Sequence, residues 1–318
     1  MPETLPLPLA LRERYAGLLT ASLVADALAL GAHWIYEPEE IVRRFGRIEN
    51  LLAPAPDGYH PGKTRGAQTH YGDQALVLAE SLEACGGNFV MDDFARRWRR
   101  FWDAAPASVY RDHATKETLA HLAEAKGLTR AGSDSTELGG PARIAPLLVA
   151  LRQEDPPTLV AAARAQTALT HASPLALDTA EFLAQTVFVL MRGMSIPSAL
   201  ETAAKQHYRV LPAVDYLQAA REVAVLPTAE AVAEVGASCP IPKALPAVFV
   251  ILLRHGQDLE SALIENVMAG GDSAARGLAL GMILGAAHGR RAVPERWLNS
   301  WLAREPVEGF LRASGLGS

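Results

Sequence analysis

Apolar residues recur every three to four positions along most of this chain, and strict polar–apolar alternation is nearly absent. That spacing predicts helices over 10–32, 74–85, 91–105, 113–126, 140–152, 157–170, 174–192, 196–206, 209–224, 241–254, 257–269, 273–288 and 293–313, and no strand. No internal repeat of fixed period and no low-complexity linker interrupts the series. The expected architecture is therefore all-α, with one continuous domain over residues 1–318.

Two segments break the helical rhythm. The stretch Asn50 to Asp73 carries Pro54, Pro56, Gly58, Pro61, Gly62, Gly66 and Gly72. A connection longer than about 15 residues inside a compact domain is usually functional or disordered. This one holds Tyr59, His60, Lys63, Arg65, His70, Tyr71 and Asp73, groups that suit a phosphate- or sugar-bearing ligand. The second break is Gly270-Gly271-Asp272-Ser273, where one apolar helix stops and another begins. Glycines permit a tight turn, and Asp272 then stands where a carboxylate caps a helix or faces a ligand. The helix that follows carries Gly277, Gly281, Gly285 and Gly289, which lets neighbouring backbones come close.

Composition narrows the partners. Hydrophobic residues make up 49% and aromatics only 6%, which agrees with packed helices. The net charge is −5, and the densest basic run, Arg96 to Arg100 around Trp98, is balanced by Asp92, Asp93 and Asp103. That pattern reads as a solvated helix face and argues against nucleic-acid binding. No signal-type leader and no uninterrupted apolar stretch of about 18 residues is expected, so neither is a membrane; a cytoplasmic location follows as an expectation. Two cysteines, Cys85 and Cys239, supply neither a disulfide framework nor a zinc cluster.

Four polar constellations are candidates for chemistry. Asp26 lies in Val24-Ala25-Asp26-Ala27-Leu28, where a carboxylate needs a partner or a cation. His33, Trp34 and Tyr36 follow it and suit a pocket wall. In Thr69-His70-Tyr71-Gly72-Asp73-Gln74, Asp73 reads either as a helix cap or, with His70, as an acid–base pair or cation holder. Gly132-Ser133-Asp134-Ser135 leads to Gly139-Gly140-Pro141-Ala142-Arg143, read as a turn and cap or as ligand contacts. Gly271-Asp272-Ser273 is the fourth, with Arg276 one turn on. His171, between two helices, either meets carbonyls or lines a site. Trp98/Trp102 and Trp297/Trp301 read as packing.

The order of these stretches resembles the ADP-ribosylglycohydrolase family, which includes dinitrogenase-reductase-activating glycohydrolases and J1-type crystallins. Ala25-Asp26, Gln74-Ala75-Leu76-Val77-Leu78-Ala79-Glu80, Arg143-Ile144-Ala145-Pro146-Leu147, Thr170-His171 and Gly270-Gly271-Asp272-Ser273 carry the resemblance, over roughly 14–290. It implies an orthogonal bundle of about a dozen helices around a central cleft. It also implies hydrolysis of an N- or O-glycosidic bond of an ADP-ribosyl or related ribosyl substrate. The partner would be an ADP-ribosylated protein or a small ADP-ribosyl or nucleotide ligand. A noncatalytic, crystallin-like relative that binds ADP-ribose or a nucleotide is the alternative.

In that family a magnesium or manganese pair is held by a Thr-Asp-Asp-Thr and a Gly-Gly-Asp-Thr-Asp-Thr motif. Here Thr69-His70-Tyr71-Gly72 occupies the first, and Gly270-Gly271-Asp272-Ser273-Ala274-Ala275 the second. Loss of about three carboxylates leaves too little charge for two adjacent dications. The expectation is one divalent ion, magnesium or manganese, held by Asp26, Asp73, Asp272 and Ser273, or no metal at all. His70 also admits a softer ion such as zinc. Asp73, His70 and Asp272 are the expected catalytic groups. Tyr71, Gln74, Trp34, Tyr36, Ser133, Asp134, Arg143 and His171 are the expected substrate contacts.

Overall fold

The computed structural model describes residues 7–106, 109–124, 127 and 130–317. Among them are sixteen α-helices and no strand; two isolated bridges, Ser133 with His171 and Glu137 with Pro240, are the only β-type pairings. The all-α expectation holds.

The pair that organises the bundle is α1 (Leu9–Ala29) against α14 (Ser273–His288). Its closeness follows from side-chain size. A Cβ on Gly281 would lie 2.2 Å from the Ala21 carbonyl oxygen, and one on Gly285 would lie 2.1 Å from that of Gly17. Gly17, Ala21 and Ala25 thus face Gly285, Gly281 and Gly277 at four-residue steps, so the two backbones touch. α1 is buried from Ala16 to Ala29, and α14 from Ser273 to Ala286. The segment Leu9–Ala32 is long and apolar enough to cross a membrane, contrary to the sequence expectation, but 94% of that window is buried inside the bundle. Such burial is that of a core helix.

The remaining helices are α2 (Pro38–Phe45), α3 (His70–Ala84), α4 (Met91–Ala104), α5 (His113–Ala123), α6 (Ala145–Ala150), α7 (Pro156–Ala168), α8 (Pro174–Met191), α9 (Ile196–Ala204), α10 (Ala213–Val223), α11 (Thr228–Val235), α12 (Ile241–His255), α13 (Leu259–Met268), α15 (Glu295–Leu298) and α16 (Arg304–Ala313). Two of these, α2 and α11, were not expected. Each has eight residues, too few for a periodic pattern to stand out. The expected helix 140–152 is a 3₁₀ turn, Pro141–Arg143, followed by the short α6. The expected helix 293–313 is broken because the Gly66 carbonyl accepts the Leu302 amide at 3.0 Å between α15 and α16. The last two positions expected in 113–126, residues 125 and 126, lie outside the described residues.

The start of α3 matters most. Thr69 is its cap, its hydroxyl accepting from the Tyr71 amide at 3.1 Å, so the helix begins four residues before the expected position. Asp73 is not the cap. Instead His70 and Tyr71 sit in the first turn and point inward.

Candidate functional site

Three chain reversals meet where α1 ends, α3 begins and α14 begins. Gly270 and Gly271 adopt φ of +73° and +71°, and a Cβ on Gly271 would fall 2.2 Å from the Ala237 carbonyl oxygen. Only glycine tolerates both demands. Their backbone is tied to the segment after α1: Gly271 donates to Ile35 at 2.7 Å, and Trp34 donates to Gly271 at 3.0 Å. Trp34 has φ of +66°, alone among the described non-glycine residues. A strained backbone of this kind costs on the order of 1–3 kcal/mol and persists where its surroundings over-determine it. Arg276 locks the turn from below, donating to Asn266, Ala237 and Gly270.

Asp272, fully buried, is the hub. Its Oδ1 accepts from His33 Nε2 at 3.0 Å and from the Ala275 amide at 3.2 Å, while Oδ2 accepts from the Tyr71 hydroxyl at 3.1 Å. Burial alone would raise this carboxyl; the His33 contact, the nearby Cys239 thiol and the Ala275 amide outweigh it and hold the group below its usual range. His33 Nδ1 lies 2.8 Å from His60 Nε2, which brings the Asn50–Asp73 loop onto the hub. Burial lowers the pKa of His33 and holds His60 far below the usual imidazole range, so both rings are neutral. His70 Nε2 lies 3.2 Å from Asp112 Oδ2, in a direction too oblique for a good hydrogen bond. Asp112 also caps α5 through Oδ1, 2.6 Å from the Thr115 amide. Burial opposes ionisation of Asp112, but His70, His171 and Thr115 prevail and keep it well below the carboxylate range.

Above these groups sits an aromatic cover. Trp34 meets Tyr59 and Tyr110 edge-on at centroid distances of 4.7 and 4.9 Å, and stacks on His33 at 4.0 Å. The loop and the segment after α1 enclose a cavity of about 180 Å³ bordered by His33, Trp34, Tyr59 and His60. Glu137, half-buried near Asp112 and Asp272, is pushed up to about 7, chiefly by burial.

Buried polar atoms without hydrogen-bond partners concentrate here: both ring nitrogens of His70, Asp112 Oδ2, Trp34 Nε1, His171 Nε2, Arg143 Nε and Ser273 Oγ. In folded proteins such atoms are few, and each needs an explanation such as a ligand, an ion or water. These atoms gather around Asp272 and the first turn of α3.

The expected residues divide clearly. Asp272, Ser273, Tyr71, His70 and Trp34 come together. Tyr36 is 46% exposed at the rim. Asp26 stands behind α3, accepting from the Thr69 amide at 2.7 Å and its hydroxyl at 2.5 Å; burial raises it to about 7 despite those bonds. Asp73 pairs with Lys63 at 2.5 Å rather than with His70. Gln74 is fully engaged, donating to the His70 carbonyl and accepting from Trp98. Ser133 donates to the Thr170 carbonyl at 2.7 Å and pins a turn, while Asp134 is exposed. Arg143 and His171 share Thr170 Oγ1, at 2.6 and 2.8 Å.

The four expected metal ligands, Asp26, Asp73, Asp272 and Ser273, do not form one donor group. Among the described residues, the group close enough to share an ion is His33, His60 and His70, whose ligand atoms lie within 4.8 Å of one another. A magnesium pair does not fit a set of imidazole nitrogens, because that ion demands oxygen ligands. Sequence reasoning gave His33 only a place in the wall and His60 only a place on the loop; Asp112, Glu137 and Tyr110 it missed. Asp112 carries the signature of an ordinary helix cap, and nothing in the sequence signals that its second oxygen faces His70.

An all-α bundle whose polar cleft lies at helix N-termini defines the class of protein, and sequence comparison places it. The ADP-ribosylglycohydrolase family profile matches residues 7–315, so the chain belongs to that family. An uncharacterized protein of Archaeoglobus fulgidus is 28% identical over 307 residues, 94% of each chain. A solved structure described as an ADP-ribosylglycohydrolase-related protein complex superposes with a TM-score of 0.73 at 26% identity, covering 96% of this chain and 97% of the other.

Proposed function

We propose that this cleft hydrolyses an N- or O-glycosidic bond of an ADP-ribosyl or related ribosyl substrate. The observation that carries the reading is the crowding of unpartnered buried polar atoms around Asp272 in a member of this family. The carboxyls there are pushed apart in acidity, as glycoside hydrolysis requires. Asp112 and Asp272 stay ionised and favour the positive charge that develops on the ribose ring. Glu137, held near neutrality, gives a proton to the leaving group and takes one from the attacking water.

The test is release of free ADP-ribose from ADP-ribosylated arginine or serine by the purified full chain, compared with Glu137→Gln. A kcat lower by about 10²–10⁴ in the variant supports the role. One observation favours a second reading, a noncatalytic ADP-ribose- or nucleotide-binding relative. His70 and Tyr71, both buried in the cleft, stand where the first metal motif of the family has carboxylates. Saturable ADP-ribose binding with no turnover of either linkage would select it.

A further inference from the structure

We propose that His33, His60 and His70 form a mononuclear site for a zinc-class divalent ion, in place of a carboxylate-held magnesium centre. The proposal concerns the same cleft as the hydrolase reading but does not depend on turnover. Three observations converge. The imidazoles come from separate parts of the chain (the turn after α1, the long loop and the first turn of α3), yet their donor atoms lie within 4.8 Å of one another and all three rings are buried. Both nitrogens of His70 lack a hydrogen-bond partner. Two of the rings have a carboxylate behind them, Asp272 at 3.0 Å from His33 Nε2 and Asp112 at 3.2 Å from His70 Nε2.

The tautomer of His33 follows from its neighbours. Facing ionised Asp272, His33 carries its proton on Nε2, which leaves the Nδ1 lone pair directed toward His60. His70 Nε2 stands 3.2 Å from Asp112 Oδ2, and its Nδ1 has no hydrogen-bond partner to displace. A metal-bound histidine almost always donates its other N–H to a carboxylate or carbonyl, which orients the ring and raises its basicity. Tetrahedral ligation at about 2.1 Å places donor nitrogens roughly 3.4 Å apart. The observed 2.8 Å and the 4.8 Å limit bracket that spacing, so side-chain shifts of about 1 Å complete it. Three imidazole nitrogens select zinc, cobalt, nickel or iron over magnesium. Three protein ligands also leave a fourth position open, beneath the Trp34–Tyr59–Tyr110 cover.

The full chain, stripped with a chelator, should take up one zinc per chain, and magnesium should not compete. Cobalt in its place should show the intense visible bands of a four-coordinate ion. His60→Ala, a loop substitution, should weaken zinc binding by more than about a hundredfold. Asp112→Asn, which keeps the Oδ1 cap on α5, should weaken it by about 10- to 100-fold. Thermal melting of each metal-free variant controls for folding. Zinc bound as tightly by His60→Ala as by the parent chain, or cobalt bands of a six-coordinate ion, overturns the site. Zinc retention with no ADP-ribose released or bound leaves the site standing and removes only the hydrolase reading.

Discussion

Asp26 and Asp272 are both buried where α1 meets α14, yet their surroundings move them in opposite directions. His33 and Ala275 keep Asp272 ionised, whereas the bonds from Thr69 do not offset burial of Asp26, which rises from 3.8 to about 7. Between those two values the folded chain holds a proton on Asp26 that the unfolded chain has released. Stability therefore falls as pH rises through that window, by up to about 1.4 kcal/mol per unit, and levels off above it. Asp26→Asn, permanently neutral, lacks this slope and should gain on the parent chain as pH goes from 4.5 to 8. Urea midpoints for the two chains across that range check it; a constant gap means Asp26 is not protonated in the folded state. Glu137 gives the parallel prediction for turnover. Its proton is lost as pH rises through about 7, so kcat/KM should drop about tenfold per unit above that point. Glu137→Gln should show residual activity without that limb.

At the scale of elements, the sequence announced α14 well and α3 imperfectly, for reasons that differ. The run Gly277, Gly281, Gly285 has one use in a buried helix, close approach, and α1 supplies Gly17, Ala21 and Ala25 at the same spacing. That periodicity is local and can be read directly. The start of α3 depends on Thr69, whose hydroxyl both caps the helix and donates to Asp26, 43 residues earlier. No local rule ranks Thr69 above Asp73 as the cap; the buried carboxylate decides. The close contact yields a prediction with an unusual sign. Glycine to alanine inside a helix ordinarily stabilises by about 1 kcal/mol. Gly281→Ala should instead destabilise, by about 1–3 kcal/mol, because the new methyl meets the Ala21 carbonyl and α1 must shift. Denaturant unfolding with an unchanged m-value measures it; a gain in stability would show that α1 and α14 are free to separate.

Over the whole molecule, the site is assembled from segments far apart in the chain, and this is why so little of its geometry was legible. The motifs disclosed the family and placed Asp272, His70 and Tyr71 in one cleft. They could not disclose that the long loop folds back to set His60 against His33, or that Asp112 approaches from the start of α5. Those contacts come from tertiary packing between residues whose own neighbourhoods look ordinary. The same packing closes the cleft. Trp34, Tyr59 and Tyr110 pack edge-on against one another over the buried polar groups, so a ligand as large as ADP-ribose requires the loop bearing Tyr59 to move before it reaches Asp272. Trp34 is the one tryptophan in that cover; Trp98, Trp102, Trp297 and Trp301 are buried in the core. Its fluorescence should therefore report opening. Mixed rapidly with increasing ADP-ribose, the chain should show an observed rate that levels off at the rate of loop movement, and Trp34→Phe should lose the signal. A rate that climbs in proportion to ligand, with an association constant of about 10⁵–10⁷ M⁻¹s⁻¹, would mean that the cover already stands open in solution.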